Sequence, residues 1–225
     1  MKRKTRLVGI VLTIGLLCLP NVALADMVTS FETGDLDGWS AGTPFGSPTV
    51  VNSNRASDGS YSTESVFTVP ASYADAWSVN SLISKGTADL GITSSTTEIS
   101  LDAYTDLNLD GWGVYGNEIQ LILNYEGTWV NLSPSSGSMV NGAFSTLTFD
   151  ISGHAAAMTN PLLAYSAVEV AWHLGTWGGG PDAVQTISID NINIENLGIV
   201  PEPASLALLA SCVFGWCATR PRRIG

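Results

Sequence analysis

The chain has 225 residues, 45% of them hydrophobic and 13% charged, with 9 basic and 20 acidic side chains and a formal charge of −11. Seven of the basic residues lie at the two ends, so residues 26–199 keep only Arg55 and Lys85 against nineteen carboxylates, a formal −17. That balance excludes nucleic acid, whose phosphates need cations, repels anionic lipid and anionic polysaccharide, and favours divalent cations as partners.

Lys2, Arg3, Lys4 and Arg6 precede an apolar run from Leu7 to Leu19, and Ala23-Leu24-Ala25 supplies a small-x-small cleavage site before Asp26. This is the pattern of a secretory signal peptide over residues 1–25, cut after Ala25 and handled by the Sec translocon. Cys18 follows Leu17 rather than a small residue, which argues against lipoprotein processing at that thiol. The other cysteines, Cys212 and Cys217, lie in the opposite end, so residues 26–199 contain no disulfide, thiol nucleophile or cysteine metal site. A stretch of roughly 170 residues suffices for one domain with a sizeable core.

Within it, apolar residues mostly alternate instead of recurring every three or four positions. Strands are expected at Tyr61 to Thr68, Trp77 to Ile83, Thr97 to Tyr104, Glu118 to Tyr125, Thr128 to Leu132, Thr146 to Ile151, Ala167 to Leu174 and Thr186 to Glu195. Ile119, Leu121, Leu123 and Tyr125 share one face, as do Leu147, Phe149 and Ile151. Period two with turn residues between, and a helical hint only at His154 to Met158, predicts an all-β antiparallel β-sandwich. In the last strand Ile187 and Ile189 point one way and Ile192 and Ile194 resume after an extra residue, so a β-bulge is expected at Asp190-Asn191, re-aiming a carboxylate.

Asp106-Leu107-Asn108-Leu109-Asp110-Gly111 approaches a calcium loop, with oxygens from Asp106, Asn108 and Asp110 at alternate positions and a glycine at the sixth. It lacks the bidentate Glu at position twelve, and a plain acidic loop is the other reading. Gly111-Trp112-Gly113-Val114-Tyr115-Gly116 is formally G-x-G-x-x-G, but a strand follows where a dinucleotide fold needs a helix. Signals of catalysis are poor, with neither G-x-S-x-G nor H-E-x-x-H present. Glu169 and His173 share a face of one strand, opposite Val168, Val170 and Trp172, but four residues along a strand separate them by roughly 13 Å. A ligand-facing or solvated surface follows better than an acid/base pair.

Trp112, Tyr115, Trp129, Trp172 and Trp177 lie in or beside turns and strand ends, where an aromatic ring either packs into the core or stacks on a sugar. Trp112 and Trp177, set among glycines, are the candidate ligand contacts.

Three short stretches, Phe31-Glu32-Thr33-Gly34-Asp35-Leu36-Asp37-Gly38-Trp39, Ala56-Ser57-Asp58-Gly59-Ser60-Tyr61-Ser62 and Ile189-Asp190-Asn191-Ile192, are similar to jelly-roll carbohydrate-binding modules of the galactose-binding-like type. The resemblance touches both edges of the domain and not its middle. It implies a structural calcium held by Glu32, Asp190 and backbone carbonyls near Ser57, Gly59 and Tyr61, pinning two terminal strands together. Solvated surface carboxylates are the alternative.

The chain closes with Val200-Pro201-Glu202-Pro203, sixteen uncharged residues from Ala204 to Thr219, and Arg220-Pro221-Arg222-Arg223. Sixteen helical residues reach roughly 24 Å, a short transmembrane span (204–219) with its arginines on the cytoplasmic side. The two prolines make the preceding junction extended and open to processing. Pro201-Glu202-Pro203, apolar helix and arginine-rich end, in that order, resemble the PEP-CTERM sorting signal (200–225) of Gram-negative bacteria that make exopolysaccharide. The resemblance implies recognition by a membrane exosortase through Pro201, Glu202, Pro203, Arg220, Arg222 and Arg223, cleavage near Pro-Glu-Pro, and passage from an inner-membrane intermediate to the cell surface or matrix. The leading expectation is a non-catalytic, calcium-stabilised module (26–199) binding neutral polysaccharide; a structural matrix protein or adhesin without a sugar pocket shares its address and fold, and a glycan-active enzyme fits least.

Overall fold

The computed structural model describes residues 27–72, 77–107, 113–178 and 180–196. Both expected targeting segments, 1–25 and 200–225, lie outside these, including Ala23, Ala25, the Pro-Glu-Pro and the arginines. Among the described residues no helix is long and apolar enough to cross a membrane.

The described residues form eleven strands in two antiparallel sheets. One sheet orders β3 (Val50–Asn52), β4 (Ser62–Val69), β11 (Ala183–Asn196), β6 (Thr96–Leu107) and β9 (Phe144–Asp150), with β1 (Met27–Thr29) also pairing β11. The other orders β2 (Ser40–Ala41), β5 (Trp77–Gly86), β10 (Ser166–Gly178), β7 (Gly113–Tyr125) and β8 (Thr128–Leu132). From β4 onward the chain mostly alternates between sheets, the jelly-roll habit, and leaves them for one short helix, α1 (Ala155–Met158). All eight expected strands are present within a few residues of their predicted ends. The short strands β1, β2 and β3 were not foreseen, because two or three residues carry too little alternation to register.

The core follows the alternation. Ile119, Leu121 and Leu123 on β7, beside their register partners Trp172, Val170 and Val168 on β10, and Leu147 and Phe149 on β9 of the other sheet are fully buried in one core. Each such side chain contributes about 1.5–3 kcal/mol on leaving water. Trp172 is one of these core residues, with no part in a surface. Its ring meets Phe67 of the opposite sheet at 5.0 Å between centroids, and its indole N–H donates to Asn117 Oδ1 at 2.7 Å. The bulge stands where expected: Asn191 has φ 45 and the β11–β6 register shifts between Asp190 and Asn193. Ile187, Ile189, Ile192 and Ile194 consequently all reach the core.

Candidate functional site

Residues 53–61 form a strap over the outer face of the β3-β4-β11-β6-β9 sheet, and three clusters hold it. At its start Arg55 Nη1 lies 2.5 Å from Glu64 Oε2, while Asn52 and Asn54 donate to Glu64 Oε1. The guanidinium also covers the Tyr104 ring at 4.8 Å. Midway, Ser57 N donates to Asp190 Oδ2 at 2.9 Å, and Ser57 Oγ lies 3.1 Å from that oxygen and 2.8 Å from Asp102 Oδ2. At the far end Ser60 N and Tyr61 N donate to Glu32 Oε1. Gly59, at φ 73, leaves room for that carboxylate, since a Cβ there would fall 2.4 Å from Glu32 Cδ.

The residues expected to bind calcium are thus brought to one loop from opposite ends of the chain. Glu32 and Asp190 meet N–H groups of the strap, whereas calcium takes oxygen ligands. Among the described residues no three His, Cys, Asp or Glu side chains converge. What stands there is a carboxylate–amide clip tying β11 and the segment after β1 to the strap. Asp190 is fully buried, and burial, working against its N–H donors, pushes its carboxyl above the ordinary carboxylate range. Asp102 and Asp190 are register partners on β6 and β11, a carboxylate pair that sequence spacing could not show because it forms across strands. Of the second calcium loop, Asp106 is exposed at the end of β6, while Asn108 and Asp110 lie outside the described residues.

The outer face of the second sheet is polar. Opposite the buried Ile119, Leu121 and Leu123, β7 presents Glu118, Gln120, Ile122 and Asn124, paired across to His173, Ala171, Glu169 and Ala167 of β10. Glu118 Oε1 accepts Gln120 Nε2 at 2.7 Å and Ser133 Oγ at 2.9 Å, and His173 Nδ1 stands 3.5 Å away. Gln120, Asn124 and His173 are almost wholly buried, while Glu118, Glu169, Asn131 and Trp129 reach solvent, Trp129 with 59% of its surface. His173 therefore partners Glu118 across the ladder and not Glu169 along its own strand. The signal for Glu118 was in the sequence: its polar alternation with Ile119 and Leu121 marks the same face. Trp112 lies outside the described residues; Trp177 lies in β10 between Thr176, paired with Val114, and Gly178, paired with Gly113, and its side chain is not among those described.

Beside this face, at the end of the sandwich, a cleft of about 430 Å³ opens between β7 and the segment 134–141. Ile119, Leu147 and Met139 give it apolar walls, and Asn117, Glu118 and Ser138 a polar rim. Glu118 thus belongs to both face and cleft.

No family model matches the chain, and no curated protein does. Among solved structures it is similar to the CBM22-1 xylan-binding domain of Paenibacillus barcinonensis Xyn10C, at 15% identity over 77% of this chain and 95% of that one, with a TM-score of 0.48. It is also similar to TmCBM27, a carbohydrate-binding module of specific mannan recognition (11% identity, 76% and 96% covered, TM-score 0.45). A third is the family 11 carbohydrate-binding module of the cellulosomal cellulase Lic26A-Cel5E of Clostridium thermocellum (13% identity, 77% and 96% covered, TM-score 0.42). The likeness is one of two-sheet architecture and reaches no residue of a site.

Proposed function

We propose that residues 26–199 form a non-catalytic module that holds neutral polysaccharide on the outer face of the β2-β5-β10-β7-β8 sheet. The observation that carries this reading is the Glu118 network. A carboxylate that reaches solvent is fixed from behind by Gln120 and Ser133, on a face that also offers Asn131 and a widely exposed indole, Trp129. Sugar recognition needs this pairing of oriented hydrogen-bonding groups with a flat apolar ring. No cation among Arg55 and Lys85 serves an anionic ligand there, because Arg55 is held by Glu64 and Lys85 Nζ donates to Asp37 O at 2.6 Å. The carboxylate pair Asp102 and Asp190 lies under the strap with Asp190 fully buried, out of reach of a polymer.

The terminal signals support export by the Sec translocon and sorting by an exosortase near Pro201-Glu202-Pro203, with the surface or matrix of a Gram-negative cell as destination. Trp112 and Trp177 are proposed as further ligand contacts. Calcium at Glu32 and Asp190 stays a proposal, requiring the carbonyls of Ser57, Gly59 and Tyr61 to replace the N–H groups the two acids now meet. The test of the binding reading is a screen of the purified protein against neutral and anionic polysaccharides. Retention on neutral polymers, weakened by Glu118→Ala with an unchanged melting temperature, is the expected result; retention on none overturns it.

A further inference from the structure

The cleft at the end of the sandwich is walled by core residues and closed on its far side by the segment 133–143. Ser135 N donates to Thr148 O at 2.7 Å, Thr148 N to Ser136 O at 3.0 Å, and Gly142 N to Thr105 O at 2.7 Å, so the segment is fastened to both β9 and β6. Gly137, at φ 84, packs so tightly that a Cβ would fall 2.1 Å from Thr146 O. A segment held this way does not swing aside to let a polymer pass. The cleft adjoins the proposed binding face through Glu118 and stops at this wall.

Its polar groups are partly committed, and the commitment orients what remains. Glu118 Oε1 is taken by Gln120 and Ser133, which leaves Oε2 as an acceptor. Asn117 Oδ1 accepts the Trp172 indole, which turns the amide NH₂ into its remaining group, a donor. Thr105, 2% exposed, also lines the cleft, and its Oγ1 is buried with no hydrogen-bond partner. Buried hydroxyls are ordinarily bonded, so this one points to a missing polar partner. Donor, acceptor and hydroxyl around the apolar surfaces of Pro134 and Met139, over a floor of buried Ile119 and Leu147, suit a ring with hydroxyls on its edge and C–H groups on its faces. With about 430 Å³ the cleft falls in the size range of small-molecule sites, about 300–1,000 Å³.

We infer that this cleft takes the terminal residue of a neutral glycan chain, so that the module binds chain ends; the inference rests on the polysaccharide reading of the adjoining face. Among the described residues Glu118 is the one ionisable group lining the cleft, which disfavours uronic or sulfated termini.

The test uses the full chain and one neutral glucan, intact or partially hydrolysed to give about ten times as many ends at equal mass. If the cleft holds termini, binding capacity per unit mass rises roughly tenfold on hydrolysis, and Ser138→Trp, which fills the cleft from an exposed position, weakens binding about tenfold, or 1.4 kcal/mol. Capacity that is unchanged by hydrolysis, or an affinity that Ser138→Trp leaves intact, overturns the chain-end assignment while the face reading survives. Failure of the unmodified protein to bind either preparation, with no other neutral polymer retained, overturns both. Circular dichroism of Ser138→Trp confirms that its fold is unchanged before the affinities are compared.

Discussion

Replacing Asp190 by alanine separates a buried carboxylate clip from a metal ligand. The carboxylate is fully buried and accepts Ser57 N at 2.9 Å and Asn191 N at 2.8 Å. Hydrogen bonds to a charged group contribute about 1.5–3 kcal/mol each, and two stranded N–H groups cost a similar amount. Relaxation of the strap and relief of the buried charge offset part of this, so a loss of about 3 kcal/mol is expected, or about 6–12 °C in melting temperature for a domain of this size. The pH dependence has a definite sign. Because burial raises the folded-state pKa of Asp190 above its unfolded value of 3.8, the native state holds the proton more tightly. The stability contributed by this group is therefore greatest at low pH and is lost as pH rises through the folded value. Asp190→Ala should cost more near the unfolded value of 3.8 than at pH well above it, measured by urea unfolding of both proteins in chelator. A cost that grows with pH would mean that the anion is the stabilised form, as for a calcium ligand, and would refute the clip. Adding calcium gives the complementary arm, since an ion bound at a hundredfold excess over Kd adds about 2.7 kcal/mol, whereas the clip predicts equal melting in calcium and in chelator.

Gly59→Ala should destabilise by about 2 kcal/mol, because its φ of 73 is strained for alanine and the new Cβ meets the Glu32 carboxylate; unchanged thermal melting would remove Glu32 from the strap's fastening. Trp129→Ala, at a side chain mostly in solvent, should leave stability within about 0.5 kcal/mol and weaken glycan retention about tenfold, as affinity electrophoresis reads directly; intact retention would move the ligand off that end of the face. Trp172→Ala should instead cost about 3–5 kcal/mol, with calorimetry as the measure, since its ring lies between the sheets against Phe67. Glu202→Ala should block release of the protein from the membrane, and mass spectrometry finding the variant cut as efficiently as the parent would count against the Pro-Glu-Pro assignment.

Much of this protein could be read from residue order alone. Alternation of Ile119, Leu121 and Leu123 with Glu118, Gln120 and Asn124 determined a strand with one dry and one wet face, since side chains on a strand alternate by geometry. The broken alternation from Ile189 to Ile192 determined the bulge, because an extra residue is the way four isoleucines reach one core. The charge distribution and the patterns behind the two expected terminal signals are likewise properties of composition and order. What only the tertiary structure decided are the meetings across strands: Glu118 with His173, Asp102 with Asp190, and Glu32 and Asp190 on a strap far from both in sequence. Each depends on register between segments 28 to 133 residues apart, and local pattern carries no information on which residue of one strand lies opposite which residue of another. The same reason explains Trp172. A tryptophan near a strand end reads alike whether it stacks on a ligand or on Phe67, until the second sheet is folded over it.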